Sequence, residues 1–516
     1  MKTNIIPIVI VSLLILIQGC DLTEEEFGKI TPDSFFKTQK DANLAVAALY
    51  SGSISGGYYR GDVYTSINIH CDLAAGDMAT CSYGSSWERL RNHDYDAFNT
   101  YNTHRWFPYY SHITQARITA QAIEAMEIPE EVKIPYIAEA NAIAGWKAYM
   151  LYDLYGPVPY PTDEMLAEPT VTNYALRPTY EEFVDIIEAF FSQKNQLLDV
   201  DFGSNFGRVN KGIANMVLLK LYMLEAGRTG DINFWTKAKT CAEEIISSGS
   251  YVLLNKYSDV FAKANKYNHE IIFAPSSDYS YNPFQYHSQA LTNNFPCALN
   301  RTAGAFGGMK LLWSFYDTYN QNDLRLTGIA ASYTTDAGEV INRENPKDTR
   351  HGLVTGPLPV KYDLDETTQG VNQGHNAIIY RYADVLLSMA EILNELGITS
   401  DLNAPVMTQL GKDGNTYQSD GGNTAFSFVN AIRVRAGLVP LSGLSKVQLR
   451  DSILMERAHE LYMEGSRRAD LIRYQRVTNG TGYKIFDDET YKFIYPIPNS
   501  YILEYKGNMD QNPGYE

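Results

Sequence analysis

Small residues recur along this chain at the spacing at which helices touch, and that pattern restricts the fold more than any other feature. In YIAEANAIAGWKAYMLYDLYG, residues 136–156, Ala138, Ala142, Gly145, Tyr149 and Tyr152 fall on one helical stripe, and Gly156-Pro157 stops the helix. In GRVNKGIANMVLLKLYMLEAG, residues 207–227, the stripe is Ile213, Val217, Leu221 and Leu224, with Gly227 as the predicted end. A short polar turn leads to FWTKAKTCAEEIISSG, residues 234–249, where Ala238, Ala242 and Ile245 share a face and Gly249 ends the segment. The two segments have the type and length of a tetratricopeptide hairpin. Further helices are predicted in RYADVLLSMAEILNELG (381–397), in AFSFVNAIRVRAGL (425–438) after a polar insertion over Lys412 to Asn423, and in LRDSILMERAHELYMEGSRRADLIRY (449–474). The expected fold is mostly α, a tetratricopeptide-like superhelix of helix pairs whose loops and faces bind things.

Between these parts lie two long stretches with little periodicity, residues 52–101 and 268–373, both rich in Tyr, Asn, Gly and Ser. The second contains β-like runs such as EIIFA (270–274), so a few short strands are expected. Irregular segments of this length in a compact domain usually carry function. Tyrosine, present 38 times against 5 tryptophans, presents a flat apolar face with a polar tip, which suits wet grooves and sugar surfaces, although much of it must serve the scaffold. A formal charge of -17 argues against nucleic acid and against docking on anionic lipid. The cysteines Cys71, Cys81, Cys241 and Cys297 have no CxxC spacing and no paired histidines, which argues against zinc; a Cys71–Cys81 disulfide and free thiols both stay open.

At the other end of the scale of order stands the N-terminus. Lys2 is followed by an apolar run from Ile5 to Ile17 that ends in Gly19-Cys20 and turns at once into DLTEEE. The run is too short to anchor across a bilayer and has the charge order of a secretory signal. Residues 1–19 are therefore expected to be removed, leaving Cys20 as a lipidated N-terminus, with 20–31 as an acidic tether.

Nine segments in order then resemble one family: the lipobox cysteine, TPDSFFKTQKDANLAVAALY, AEANAIAGWKAYMLYDLYGPVPY, GRVNKGIANMVLLKLYMLEA, YSDVFAKANKYNHEIIF, IIYRYADVLLSMAEILNELG with VNAIRVRAGL, ERAHELYMEGSRRADLIRY, YPIPNSYI and MDQNPGY. Together they resemble the SusD and RagB family of outer-membrane nutrient-binding lipoproteins over essentially the whole mature chain. The resemblance implies a single SusD-like nutrient-binding domain over 32–516, four tetratricopeptide-like helix pairs, and a place on the cell exterior as a hinged lid over a SusC-like TonB-dependent transporter. It implies capture of an oligo- or polysaccharide, with peptide capture, as in the RagB branch, and a glycan-cleaving surface enzyme as rivals. DLTEEE also resembles the export signal of Bacteroidetes surface lipoproteins.

Catalytic motifs do not survive inspection. HELYM (459–463) resembles the start of HExxH, but Met463 stands where the second ligand is required. Glu456, Glu460, Glu464, Arg467 and Asp470 are read as exposed or paired charges of a scaffold helix and turn. GAFGGMK (304–310) lacks the spacing of a phosphate loop, so its glycines are expected to let backbone approach backbone or ligand. Acid pairs such as those in DLDE (363–366) have nothing that sets them across a sugar. Binding without catalysis and without a cofactor is expected, with a structural calcium ion in the loops left open.

A sugar site combines aromatic planes with hydrogen-bonding Asn, Asp or Arg. In the first irregular stretch Trp87 is the expected stacking platform, near where the starch-binding member of the resembling family has its aromatic arc, with Tyr83, Asn68 and Asp77 around it. The second stretch offers Tyr281, Tyr286, Asn294, Arg301, Phe306 and Arg350. Phe306 stands near where some members of the resembling family carry a stacking tryptophan. Trp106, Trp146, Trp235 and Trp313 are read as core.

Overall fold

A computed structural model of the protein describes residues 35–50, 72–82, 85–98, 106–168, 174–280, 283–348, 352–368, 370–478, 483–485 and 490–515. The long helices are α1 (Gln39–Tyr50), α2 (Ser85–Arg91), α3 (Trp106–Glu124), α4 (Glu130–Tyr155), α5 (Tyr180–Phe190), α6 (Lys211–Thr229), α7 (Ile232–Ser247), α8 (Tyr382–Leu396), α9 (Ala425–Arg435), α10 (Lys446–Leu461) and α11 (Arg467–Arg473). They pair as the small-residue stripes require. α3 packs on α4, α6 on α7 and α8 on α9, while α7 and α10 both lean on α8 and join the pairs into one scaffold.

Local chemistry sets the helix ends. The Asn210 side chain accepts from the Ile213 amide at 3.1 Å and starts α6. Reciprocal capping boxes, Thr179 with Glu182 and Ser445 with Gln448, start α5 and α10. Gly156 ends α4 as expected, but Gly227 does not end α6: the helix runs on to Thr229 and stops at Gly230, whose φ of 72° is left-handed. Gly227 is instead a contact glycine, since a Cβ there would lie 2.7 Å from Arg473 Cγ. Gly145 serves the same end in α4, where a Cβ would lie 2.7 Å from the Phe191 ring.

The strands are short and bring distant segments together. EIIFA supplies β2 (Ile271–Phe273), which pairs with β4 (Tyr380–Arg381) and sets Glu270 beside Arg381. β1 (Ala79–Cys81) pairs with β3 (Met309–Leu311), and the polar insertion folds as a hairpin of β5 (Thr408–Leu410) and β6 (Thr416–Gln418). Trp106, Trp146 and Trp235 are core, as expected. Trp146 meets Phe273 of β2 edge-on at 5.0 Å.

The charges of ERAHELYMEGSRRADLIRY are not an exposed face. Glu460 is fully buried and pairs with Arg325, Arg381 and Arg435. Glu270 pairs with Arg381 and Arg435, Glu464 with Lys361 and Arg381, and Arg325 with Asp323 and Glu456. A second cluster joins Arg457 to Asp384 and Asp470, and Arg473 to Glu391 and Asp470, with Lys220 of α6 on Asp384. His459 is committed too: its Nε2 lies 2.8 Å from Thr318 Oγ1 and its ring lies against Tyr319. Burial and nearby arginines hold it well below its ordinary 6.5, so it is neutral.

Burial alone would raise the Glu460 carboxyl, but the charges of Arg435, Arg381 and Arg325 outweigh it and hold the group well below its ordinary 4.5. A carboxyl so depressed contributes stability that is complete above pH 4.5 and lost as the pH falls further. Glu460→Gln leaves buried cations short of countercharge and should lower the unfolding free energy at pH 7 by about 3–5 kcal/mol in denaturant titrations. The wild-type and variant stabilities should converge as the pH is lowered below 4.5.

Candidate functional site

The second irregular stretch builds a lobe with a small core of its own. Leu291, Cys297, Leu299, Ala305, Tyr333, Ile341, Leu353 and Leu358 form this cluster, apart from the main core, and Phe295 and Trp313 pack on its edge half-buried. The lobe is fastened to the first irregular stretch by β1 and β3, with Ala79 opposite Leu311 and Cys81 opposite Met309. The glycines of GAFGGMK make this possible. Gly304 and Gly307 adopt φ of 78° and 70°, and the chain between them comes close enough for the Phe306 amide to donate to Ser288 O at 2.7 Å. The Ser82 amide donates to Gly308 O at 2.9 Å, so the close approach is backbone to backbone.

A polar latch holds the far side of the lobe. Lys263 Nζ donates to Asp365 at 2.8 Å, to Thr367 Oγ1 at 2.6 Å and to the Tyr279 hydroxyl. Asp365 also accepts the amides of Thr367 and Gly374, and these hydrogen bonds overcome partial burial and hold its carboxyl well below the usual range. His287 is buried between Tyr362 O and Gln373, and burial pushes it down to about 4, so it is a neutral hydrogen-bonding post.

Sequence-predicted residues divide into three sets. Trp87 is 5% exposed, packed into the main core by α2, and cannot offer a stacking face; the expectation of a platform there is corrected. Tyr286, 2% exposed, lies between the Phe284 and Tyr362 rings and is also core. Asp77 spends its carboxylate on Arg467, at 2.6 Å, and ties the first stretch to the scaffold instead of presenting a hydrogen bond to a ligand. Asn294, Arg301 and Phe306 belong to the lobe, each with partners of its own. Asn294 accepts from the Tyr333 hydroxyl at 2.8 Å, while its buried Nδ2 has no partner among the described residues. Arg301 is exposed and pairs with exposed Glu366 at 3.0 Å, and the Phe306 ring is half-buried. Asn68, Tyr83, Tyr281, Arg350, Cys71 and Cys20 lie outside the described residues.

Trp313 is the residue the sequence hides. Of the five tryptophans it alone is not buried. Its Nε1 donates to Leu353 O at 2.9 Å, which fixes the indole at the lobe edge, and Arg343 lies 4.7 Å from the ring centroid. Arg343 makes a forked pair with Asp317 at 2.8 and 3.0 Å, half exposed on both sides and therefore cheap to open. An indole edge with an adjacent guanidinium can offer an apolar surface and hydrogen-bond donors together. Among the described residues no cluster of His, Cys, Asp and Glu could hold a metal ion, and no helix is long and apolar enough to cross a membrane.

Comparison with known proteins agrees with this architecture. Residues 309–515 match the family described as the SusD family, and residues 31–223 match one described as starch-binding associating with outer membrane. The chain is 25% identical to SusD-like protein P25 of Formosa agariphila, over 95% of this chain and 93% of that protein. Its fold is similar to a SusD superfamily protein from Parabacteroides distasonis, with a TM-score of 0.73 and 18% identity over 94% of this chain and 100% of that one. It is also similar to surface glycan-binding protein A from Bacteroides thetaiotaomicron in complex with laminarihexaose, with a TM-score of 0.69 and 21% identity over 92% and 99% of the two chains.

A buried Trp87 has a measurable consequence. Trp87→Ala should cost about 3–5 kcal/mol of unfolding free energy, read by chemical denaturation, because it opens a cavity in the core. An exposed platform would instead give a variant as stable as the parent.

Proposed function

The chain belongs to the SusD/RagB family, and from that premise we propose that it is a cell-surface glycan-binding lipoprotein that captures an oligo- or polysaccharide and delivers it to a SusC-like TonB-dependent transporter. It is held on the outer membrane by lipid on Cys20 and faces the cell exterior, with 20–31 as its tether and 32–516 as one nutrient-binding domain. Support for the ligand class comes from the description of the matched N-terminal family and from the laminarihexaose bound to the similar protein of Bacteroides thetaiotaomicron.

The observation that carries the reading on this chain is Trp313. Trp313 lies at the edge of an independently cored lobe, one ring edge tied to Leu353 O and Arg343 over its ring; in this reading Arg343 swings aside from its half-exposed pair with Asp317 and the ring stacks on the C–H face of a pyranose. Arg343 supplies hydrogen bonds to hydroxyls beside the indole, each worth about 1 kcal/mol net, while Arg301 pairs with Glu366 on the latch side of the lobe. Micromolar or weaker affinity needs several such contacts at once. The function is capture, with no bond made or broken, so nothing in the lobe needs an acid opposite a base.

Affinity electrophoresis of residues 21–516 against plant, microbial and host polysaccharides tests the proposal. One class of polysaccharide should retard the wild type, and Trp313→Ala should abolish the retardation while the fold is retained by circular dichroism. Heat from a peptide mixture in calorimetry, with no polysaccharide retarded, would move the protein to peptide capture. Release of reducing ends would show a glycan-cleaving enzyme.

A further inference from the structure

A cavity of about 490 Å³ opens among the ends of α4 and α6, the start of α5, the end of α11 and the last segment of the chain. None of its lining residues belongs to the loop lobe. Leu224, Ile472 and Phe493 give it apolar walls, and three polar side chains, Tyr180, Arg228 and Gln475, converge on it. That combination, in a volume within the range of small-ligand pockets, is the usual make-up of a binding site.

The polar groups are held in place but keep free hydrogen-bonding atoms. Arg228 lies 4.5 Å over the Tyr180 ring and donates through Nε to Glu225 at 2.9 Å. Glu225 in turn accepts from the Tyr152 hydroxyl at 2.6 Å. The charge of Arg228 is thereby cancelled, yet its Nη1 has no hydrogen-bond partner among the described residues, nor do the Tyr180 hydroxyl and the Gln475 side-chain carboxamide. Asp153, also in the wall, is neutralised by Arg468 at 3.1 Å.

Gln475 adds an independent sign. It follows the end of α11 with φ of 55°, its amide donating to Ile472 O at 2.9 Å, a left-handed position that favours glycine. A glutamine held there carries backbone strain that a glycine would relieve. Its side chain on the cavity wall gives the strain a use.

We propose that this cavity is a second binding site, for a neutral, hydroxyl-rich sugar ring. Both ion pairs in the wall are internally balanced, so the site has no net charge to attract an acid or an amine. The apolar wall takes the C–H face of the ring, and Arg228 Nη1, the Tyr180 hydroxyl and the Gln475 side-chain carboxamide take its hydroxyls. This site would bind its sugar whether or not the lobe binds a glycan.

Saturation-transfer NMR on residues 21–516 tests it, with glucose, galactose, mannose and xylose as probes and glucuronate, glucosamine and phenol as controls. Transfer is expected to at least one neutral sugar, with affinity weakened about tenfold by Tyr180→Phe and by Gln475→Gly. The melting temperature of Gln475→Gly should be equal to or above that of the parent. Trp313→Ala should leave this binding intact, which separates it from the lobe. The proposal is overturned if only the controls give transfer, if neutral-sugar binding survives both Tyr180→Phe and Gln475→Gly, if it disappears with Trp313→Ala, or if no probe binds.

Discussion

One buried carboxylate, Glu460, holds three arginines that arrive from three parts of the chain. Arg325 comes from the loop lobe side, Arg381 from β4 and Arg435 from the end of α9, and all are buried with it. A charge taken out of water is tolerated only when it is paired and hydrogen-bonded, so the elements carrying these groups must meet in one arrangement. Glu270 and Glu464 complete the cage, and both lie at the junction of scaffold and lobe. An apolar core of the same volume could slide, whereas a forked arginine pair fixes distance and angle.

That rigidity has a use at the lobe. The lobe has its own small core and is fastened by one short strand pair, the latch around Lys263 and the ionic cage. Its edge can therefore vary in sequence without disturbing the helices, while Trp313 and Arg343 keep a defined position relative to them. Binding groups need only a few contacts of modest strength if the frame has already removed their freedom.

The helix pairs could be read from spacing because periodicity is a local property. Ala138 to Tyr152, the hairpin at 207–249 and the α8 segment all fold where their stripes require. Gly227 was read as a stop because a glycine at a helix end and a glycine under a crossing side chain look alike until Arg473 is in place. The charged motif left exposed and paired side chains as alternatives for a related reason, and the structure decides for pairs. Its partners Arg325, Lys361, Arg381 and Asp77 are remote in sequence, so one helix taken alone does not show which charges are paired. At the site the same limit applies: Trp87, in a stretch of Gly and Ser, reads as a loop residue but sits on a short helix facing the core, and Trp313, in an apolar run, reads as core but lies at the lobe edge. Only Asn294, Arg301 and Phe306 were both predicted and described on the lobe, because irregular polar sequence marks a region more surely than it marks a side chain's direction.

The central claim is that a preformed lobe on a rigid ionic frame captures the glycan. Amide hydrogen exchange of residues 21–516, with and without a polysaccharide that retards the protein, tests it most directly. The account predicts added protection around residues 291–317 and 340–348 and unchanged, already slow exchange in α8 and α10. Protection spread through the helices, or a frame that exchanges quickly before ligand is added, would contradict it.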